Sequence, residues 1–341
     1  MVASAIMGAI CGSSTAAAAT MSKIAIPEMM RKGFPARMAT AIVAVSGTLA
    51  IMIPPSVVLV LYGILTDESV GKLLMAGVIP GLLSALAYSI TIVFWFKREQ
   101  KKQNIPADEV LRQLVAEGQD SVTGMWKELL SVGPALILIL VVLGGIYSGI
   151  VTPTEAAAVG AFATLILALI KREQNPQLVY EACVRAVKTN TMIFTIMIGA
   201  RIFGYFLVFS QTTTRITQFV SNLAVDPWVI LAMLVVFYIV LGCFMDGIAI
   251  ILLTIPVVAP IISALGLDLI WFGILVTKLI EVGLVTPPVG INVFIASDGA
   301  NIPVDEGFSG VGVLLMAEAV VVLLLMFFPG LVLWLPSLMK V

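Results

Sequence analysis

Between Trp228 and Ile262 the chain runs 35 residues with one side chain charged at neutral pH, Asp246. A stretch that long without charge is suited to hydrocarbon, where ~20 apolar residues cross as a helix; a helix of that length on a soluble protein would carry a polar face. The pattern recurs. Apolar runs fall near 1–30, 38–65, 70–96, 129–149, 152–170, 189–210, 228–262, 269–297 and 311–336, cut where charge or Pro/Gly clusters intervene. With 60% hydrophobic and 11% charged residues and a mean hydropathy of +1.11, the chain has material for roughly ten membrane segments. The fold class is an all-α polytopic membrane protein.

Composition removes several functions. There is no histidine, which excludes His-based acid–base catalysis, His-activated nucleophiles and His-containing zinc sites. Cys11, Cys183 and Cys243 lie far apart with no C-x-x-C, so neither a disulfide framework nor a metal knuckle is indicated. A net charge of −1 argues against a nucleic-acid partner, and the absence of G-x-x-x-x-G-K-[ST] argues against ATP hydrolysis. An intramembrane aspartyl protease would need a second carboxylate approaching Asp246, and no second central Asp with a matching motif is present. The chain is not expected to be an enzyme or to carry a cofactor.

Positive charge orders the runs. Arg31, Lys32 and Arg37 follow the first, Lys97, Arg98, Lys101, Lys102 and Arg112 the third, and Lys171, Arg172, Arg185 and Lys188 the fifth. By the positive-inside rule these three loops are cytoplasmic. The long polar stretch 97–128 reads as a cytoplasmic amphipathic linker helix, beginning near Pro106 with Asp108 and Glu109 in its first turn. Only about eleven residues precede Gly12, too few to cross ~30 Å of hydrocarbon. They read either as a short arm of a re-entrant hairpin or as the end of a segment whose upstream helices lie outside this sequence.

Two segments resemble each other. AICGSSTAAAATMSKIAIPEM (9–29) and VLGCFMDGIAIILLTIPVVAP (240–260) each place a Gly amid small or polar residues before an apolar arm, with Gly12 and Pro27 matching Gly242 and Pro256. Each is followed by an apolar run broken at a proline pair, IMIPPSVV (51–58) and LVTPPVGINVF (284–294). The charge count places the base of the first hairpin inside and that of the second outside, which makes the repeats inverted. The boundaries expected are 1–96 for the first repeat, 97–128 for the linker, 129–170 for a helical pair and 171–341 for the second repeat.

Paired broken helices in inverted repeats point to a midplane site in a secondary transporter. Each Pro removes a backbone donor and frees a carbonyl, and freed groups are tolerated at membrane depth only inside protein or along a cavity. Hairpin tips and breaks thus supply hard oxygens suited to Na⁺ and to hydrogen-bonding a carboxylate. The candidates are Gly12, Ser13, Ser14, Thr15, Ser46, Gly47, Thr48, Pro54, Pro55 and Ser56 in the first copy, and Gly242, Asp246, Gly247, Thr254, Thr286, Pro287, Pro288, Gly290 and Asn292 in the second. Each has a plainer reading: STAAAA as close helix packing, Pro-Pro as a kink, Asp246 as an N-cap. Arg201 either faces a cavity and an anionic substrate or pairs with another helix. Lys278 and Glu281 read as an intrahelical ion pair, Glu155 as part of a TPTE helix start, and Glu318 as a bundle-facing residue near a helix end.

Five stretches, GSSTAAAATMSKIAIPEMMRKGF, GTLAIMIPPSVVLVLYGILTDESVGKLLMAGVIPG, GGIYSGIVTPTEAAAVGAF, FMDGIAIILLTIPVVAPII and EVGLVTPPVGINVFIASDGA, resemble the large membrane subunit of tripartite ATP-independent periplasmic (TRAP) transporters. The resemblance covers essentially the whole chain. It implies an inverted-repeat, elevator-type transporter of the bacterial inner membrane, with two re-entrant helical hairpins and two Pro-Pro-broken helices. The partners it implies are a small membrane subunit and a periplasmic binding protein that delivers an organic acid for uptake with Na⁺.

On this similarity Ser13, Ser14, Ser46, Gly47, Pro54 and Ser56 would hold one Na⁺. Gly242, Asp246, Thr286, Pro287 and Gly290 would hold another. Ser14, Thr15, Pro55, Thr254, Pro288, Asn292 and Arg201 would meet the substrate. The large subunits of this family usually carry further membrane segments before the first hairpin, so upstream helices are expected to precede this sequence. The alternative is a non-transporting truncated fragment or scaffold subunit of such a system.

Overall fold

The computed structural model describes residues 7, 12–102, 122–170, 176–212, 214–216, 218 and 226–339. Apart from Met7, the first arm of the first hairpin lies outside the described residues. So do the helix start expected near Pro106 and the loop residues Arg112, Lys171 and Arg172.

Thirteen helices are present among the described residues: α1 (Ser14–Arg31), α2 (Ala36–Met52), α3 (Val57–Thr66), α4 (Val70–Lys102), α5 (Val122–Tyr147), α6 (Pro153–Ile170), α7 (Pro176–Phe209), α8 (Pro227–Phe244), α9 (Gly247–Ala264), α10 (Leu269–Gly283), α11 (Ile291–Gly299), α12 (Val304–Phe327) and α13 (Gly330–Ser337). Seven of the spans, with Ala36–Thr66 taken as one, are long and apolar enough to cross a membrane. The counts differ because the runs 1–30, which contains the more polar α1, 129–149 and 269–297, which is α10 and α11, give no such span, whereas 228–262 gives two, α8 and α9.

Local chemistry sets the boundaries. Ile53, before a proline, is extended at φ −78°, ψ 121°, the conformation a following Pro imposes. Pro54 and Pro55 then lack the donors needed to continue α2. Ser56 restarts the chain as the N-cap of α3, its hydroxyl accepting from Leu59 N at 3.3 Å. Asp226 and Asp268 cap α8 and α10 in the same way. At α6 the expected TPTE start is a capping box: Thr152 Oγ1 accepts from Glu155 N, and Glu155 Oε2 accepts from Thr152 N at 2.8 Å, with Pro153 first in the helix.

Three expectations change. Helix α7 begins at Pro176, so Arg185 and Lys188 are helical and the loop before it is shorter than charge placement suggested. The run 311–336 is two helices, parted at Phe328 and Pro329. The match between the two similar segments also shifts register. Helices α1 and α9 are both 18 residues long and start at Ser14 and Gly247, 233 residues apart. Pro27 therefore corresponds to Pro260, not Pro256, and Ser13 corresponds to Asp246. The two proline pairs keep that offset, and both Pro–Pro bonds are cis.

Packing interleaves the two sets. Helix α3, after the first break, lies against α9, while α11, after the second, lies against α1 and α2. Helix α10 packs against α8 and α4, and α12 against α2 and α4. One apolar core gathers Met52, Leu59, Tyr62, Ile251, Trp271 and Phe272; the other gathers Met38, Val45, Leu49, Val293 and Leu314. Both breaks are thus held between elements from opposite ends of the chain. The pair α5 and α6 pack on each other, and in α6 and α7 only 6% and 11% of the apolar window is buried, against 67% in Ala36–Thr66. The outward apolar faces of α6 and α7 are suited to lipid.

Candidate functional site

A cavity of about 550 Å³ opens where the starts of α1 and α9 approach α7. Its wall includes Gly12, Ser13, Ser14 and Thr15 from one side, Asp246, Gly247 and Ile248 from another, and Thr189 and Asn190 from the third. An adjoining cavity of about 450 Å³ shares Gly12, Val57, Asn190 and Ile193 and adds Pro55 and Ser56 from the first break.

The tip of the first segment is built by close backbone approach. Gly12 takes φ +61°, and a Cβ there would stand 3.4 Å from the Pro55 carbonyl oxygen. A Cβ on Gly47 would already stand 3.1 Å from Ser14 O, and one on Ala18 is equally near. Ser13 caps α1 while its hydroxyl lies 3.0 Å from that of Thr15. Ser13, Ser14, Gly47, Pro55 and Ser56 therefore lie near one another. Pro54 is buried just behind them. Ser46 is buried inside α2, its hydroxyl donating to Val43 O at 3.2 Å.

The second group divides. Asp246 is half-buried, caps α9 by accepting from Ile248 N at 3.1 Å, and borders the large cavity. Gly242, one turn earlier, packs against Ile280 and Gly283. The Cys243 thiol, donating to Pro287 O at 3.5 Å, joins the end of α8 to the second break. Thr286 donates its hydroxyl to Val282 O at 2.6 Å, and Gly290 starts α11 at φ +54° with its face against Phe308. Asn292 is fully buried, and neither its amide nitrogen nor its oxygen has a hydrogen-bond partner. Apart from Asp246, these residues surround the second break and do not line the two cavities.

Three substrate candidates are placed elsewhere. The Thr254 hydroxyl donates to Ile250 O and pairs with Tyr238 at 2.9 Å. Pro288 is exposed at the second break. Arg201 is exposed on α7, one turn beyond the cavity-lining Met197.

Sequence reading missed Thr189 and Asn190, taking the residues up to Lys188 as loop; the signal was the polar run KTNT at the mouth of an apolar segment. It also missed a buried ionic cluster. Glu318 is near the middle of α12, not its end, and its Oε1 lies 2.6 Å from Lys278 Nζ, which also meets Glu281 at 2.6 Å.

The large cavity is electrically asymmetric. Each 18-residue helix presents free N–H groups and a partial positive pole at its start. At α1 the cap is a neutral hydroxyl, which leaves that pole available to an anion. At α9 the cap is a carboxylate, which offsets the pole and offers oxygen to a cation. Among the described residues no group of three His, Cys, Asp or Glu side chains lies close enough to hold a metal ion. A cation bound here would use hydroxyl, carbonyl and single-carboxylate oxygens, the hard donors that suit Na⁺.

Residues 1–331 match the family described as the tripartite ATP-independent periplasmic transporter, DctM component. The chain is 36% identical over 331 residues to the isethionate TRAP transporter permease protein DctMQ of Oleidesulfovibrio alaskensis, covering 94% of this chain and 50% of that protein. It is 35% identical over 333 residues to the C4-dicarboxylate TRAP transporter large permease protein DctM of Pseudomonas aeruginosa, covering 97% and 75%. To the sialic acid TRAP transporter large permease protein SiaM of Vibrio cholerae it is 29% identical over 339 residues, covering 99% and 76%. The chain therefore spans half the length of the first relative and about three quarters of the other two.

Proposed function

The chain belongs to the family of DctM components of tripartite ATP-independent periplasmic transporters, and on that footing we propose that it forms the membrane path for Na⁺-coupled uptake of an organic acid. It is a multi-pass protein of the bacterial inner membrane, a transporter permease rather than an enzyme. A periplasmic binding protein delivers the substrate, and a small membrane subunit completes the permease.

The observation that carries this reading is the cavity at which the starts of α1 and α9 meet. A carboxylate substrate places its negative group at the Ser13–Thr15 end, where backbone N–H groups and hydroxyls converge, with Pro55 alongside. One Na⁺ lies among the oxygens of Ser13, Ser14, Ser46, Gly47, Pro54 and Ser56. A second is held around Asp246, Thr286, Pro287, Gly290 and Gly242. Asn292 contributes its amide to the bound state, and Arg201 draws anions toward α7. The two broken segments act as inverted repeats with re-entrant hairpins, and the body they form moves across the membrane against a scaffold that includes α5 and α6. Coupling to Na⁺ follows because an anion and its counter-cations enter one closed volume with less net charge than the anion alone.

The experiment is uptake into proteoliposomes holding this chain, its small subunit and its binding protein, with labelled C4-dicarboxylates, sialic acid and keto acids. Concentrative uptake of one class with an inward Na⁺ gradient, lost when choline replaces Na⁺, is the expected result. Equal uptake in Na⁺-free buffer would refute the coupling.

A further inference from the structure

Four helices pack around one buried point, α2 and α4 from the first set and α10 and α12 from the second, and their crossing is polar. Lys278 Nζ lies 2.6 Å from Glu281 Oε2 and 2.6 Å from Glu318 Oε1, and all three side chains are at most 1% exposed. Ser84 donates its hydroxyl to Glu318 Oε1 at 3.1 Å, and the Tyr88 hydroxyl stands beside Glu318 and Thr48. Ser84 and Glu318 occupy matching positions, since α4 and α12 start 234 residues apart, at Val70 and Val304. Glu281 matches Thr48 by the 233-residue offset of the proline pairs. The cluster therefore lies where equivalent positions of the two sets face each other.

Its charges do not balance. One ammonium faces two carboxylates, a net −1 if all three are ionised. An uncompensated charge with no access to water is strongly unfavourable. The other charged side chains described on the elements packed here are exposed or at helix ends: Lys23, Glu28 and Arg31 on α1, Arg37 on α2, Lys72 and Lys97 to Lys102 on α4, Asp298 on α11, and Asp305 and Glu306 on α12. Helices α3, α8, α9 and α13 carry none, and the caps Asp226, Asp246 and Asp268 and the α3 C-cap Asp67 are likewise terminal. Two carboxylate oxygens, Glu281 Oε1 and Glu318 Oε2, have no hydrogen-bond partner, and each is free to carry hydrogen.

We propose that the crossing is a proton-binding site, in which one proton taken from solvent is shared between Glu281 and Glu318 and leaves the cluster neutral around Lys278. The bound proton forms one O–H bond, on Glu281 Oε1 or Glu318 Oε2, as an O–H bond of a solvent hydronium ion breaks and releases water; the other carboxylate stays ionised.

Infrared spectroscopy of the purified full-length chain in lipid tests this. The wild type should show a carboxylic-acid C=O band that shifts in D₂O and persists across the neutral pH range. Glu281→Gln and Glu318→Gln should each abolish that band and keep the wild-type thermal midpoint, because each leaves one Lys and one ionised Glu. The double variant, which leaves Lys278 unpaired, should lose thermal stability. Lys278→Met, with two carboxylates left, should become less stable as pH rises. Absence of the band in the wild type overturns the proposal whatever the variants do. Its survival in both single variants, or failure of either to fold, does so as well.

Discussion

The Cα of Gly283 on α10 lies so close to Gly242 on α8 that a Cβ built on Gly242 would stand 2.8 Å from it. Neither helix has room for a side chain at the crossing, and the same contact fixes where α8 ends relative to the second break. Overpacking of this kind costs about 1–3 kcal/mol when the backbone must shift. Gly242→Ala and Gly283→Ala should each lower the thermal midpoint of the detergent-purified chain, and Val at either position should lower it further. A midpoint unchanged in both alanine variants would show that α8 and α10 can move apart freely.

Asp246 caps α9 and faces the cavity with the same carboxylate, and substitution separates the two roles. Asn keeps a capping oxygen and removes the charge, whereas Ala removes both and costs ~1 kcal/mol of helix stability. If the carboxylate holds one of the two Na⁺ ions, Asp246→Asn should fold as the wild type but show a smaller rise in thermal midpoint on adding Na⁺, keeping only the part from the other site. Asp246→Ala should show the same smaller rise together with lower stability. An unaltered Na⁺ response in the Asn variant would leave Asp246 a cap only.

Hydropathy and proline made most of the architecture legible. The breaks at Pro54–Pro55 and Pro287–Pro288 and the turn at Asp246 follow from missing donors and capping chemistry, which are local properties. Matching Ile-Pro to Ile-Pro gives a register between the two similar segments that differs from the folded one, because two prolines, Pro256 and Pro260, both lie inside α9 and only helix bounds choose between them. Asn190 and Glu318 were not legible for a different reason. Their significance depends on what lies across from them, the start of α1 in one case and Lys278 in the other, and no spacing along one helix encodes a partner on another.

Asn190 borders both cavities from the otherwise lipid-suited α7. A polar amide there has a use only if something polar enters, so Asn190→Leu should raise the KM for substrate uptake roughly tenfold, the loss of about 1.4 kcal/mol expected for a hydrogen bond to a charged group. Because α7 is exposed at this position, thermal stability should stay within about 0.5 kcal/mol of the wild type. Initial-rate uptake across a substrate range separates KM from the maximal rate; an unchanged KM would remove Asn190 from the substrate's path.

Asn292 gives the sharpest distinction between a structural and a binding residue. Its backbone N–H donates to Leu284 O at 3.0 Å and so helps close the second break, but its buried amide makes no hydrogen bond. An unsatisfied group of that kind costs about 1–3 kcal/mol, which a bound ion or carboxylate would offset. Asn292→Leu, close in shape and without the polar atoms, should therefore raise the stability of the chain held without Na⁺ or substrate by a similar amount, while Na⁺-driven uptake falls to background. A purely structural amide would give the reverse pattern: a less stable variant that, once folded, transports with wild-type Na⁺ dependence. Measuring the thermal midpoint with and without Na⁺ beside proteoliposome uptake decides between them, because only a ligand-facing amide moves stability and transport in opposite directions.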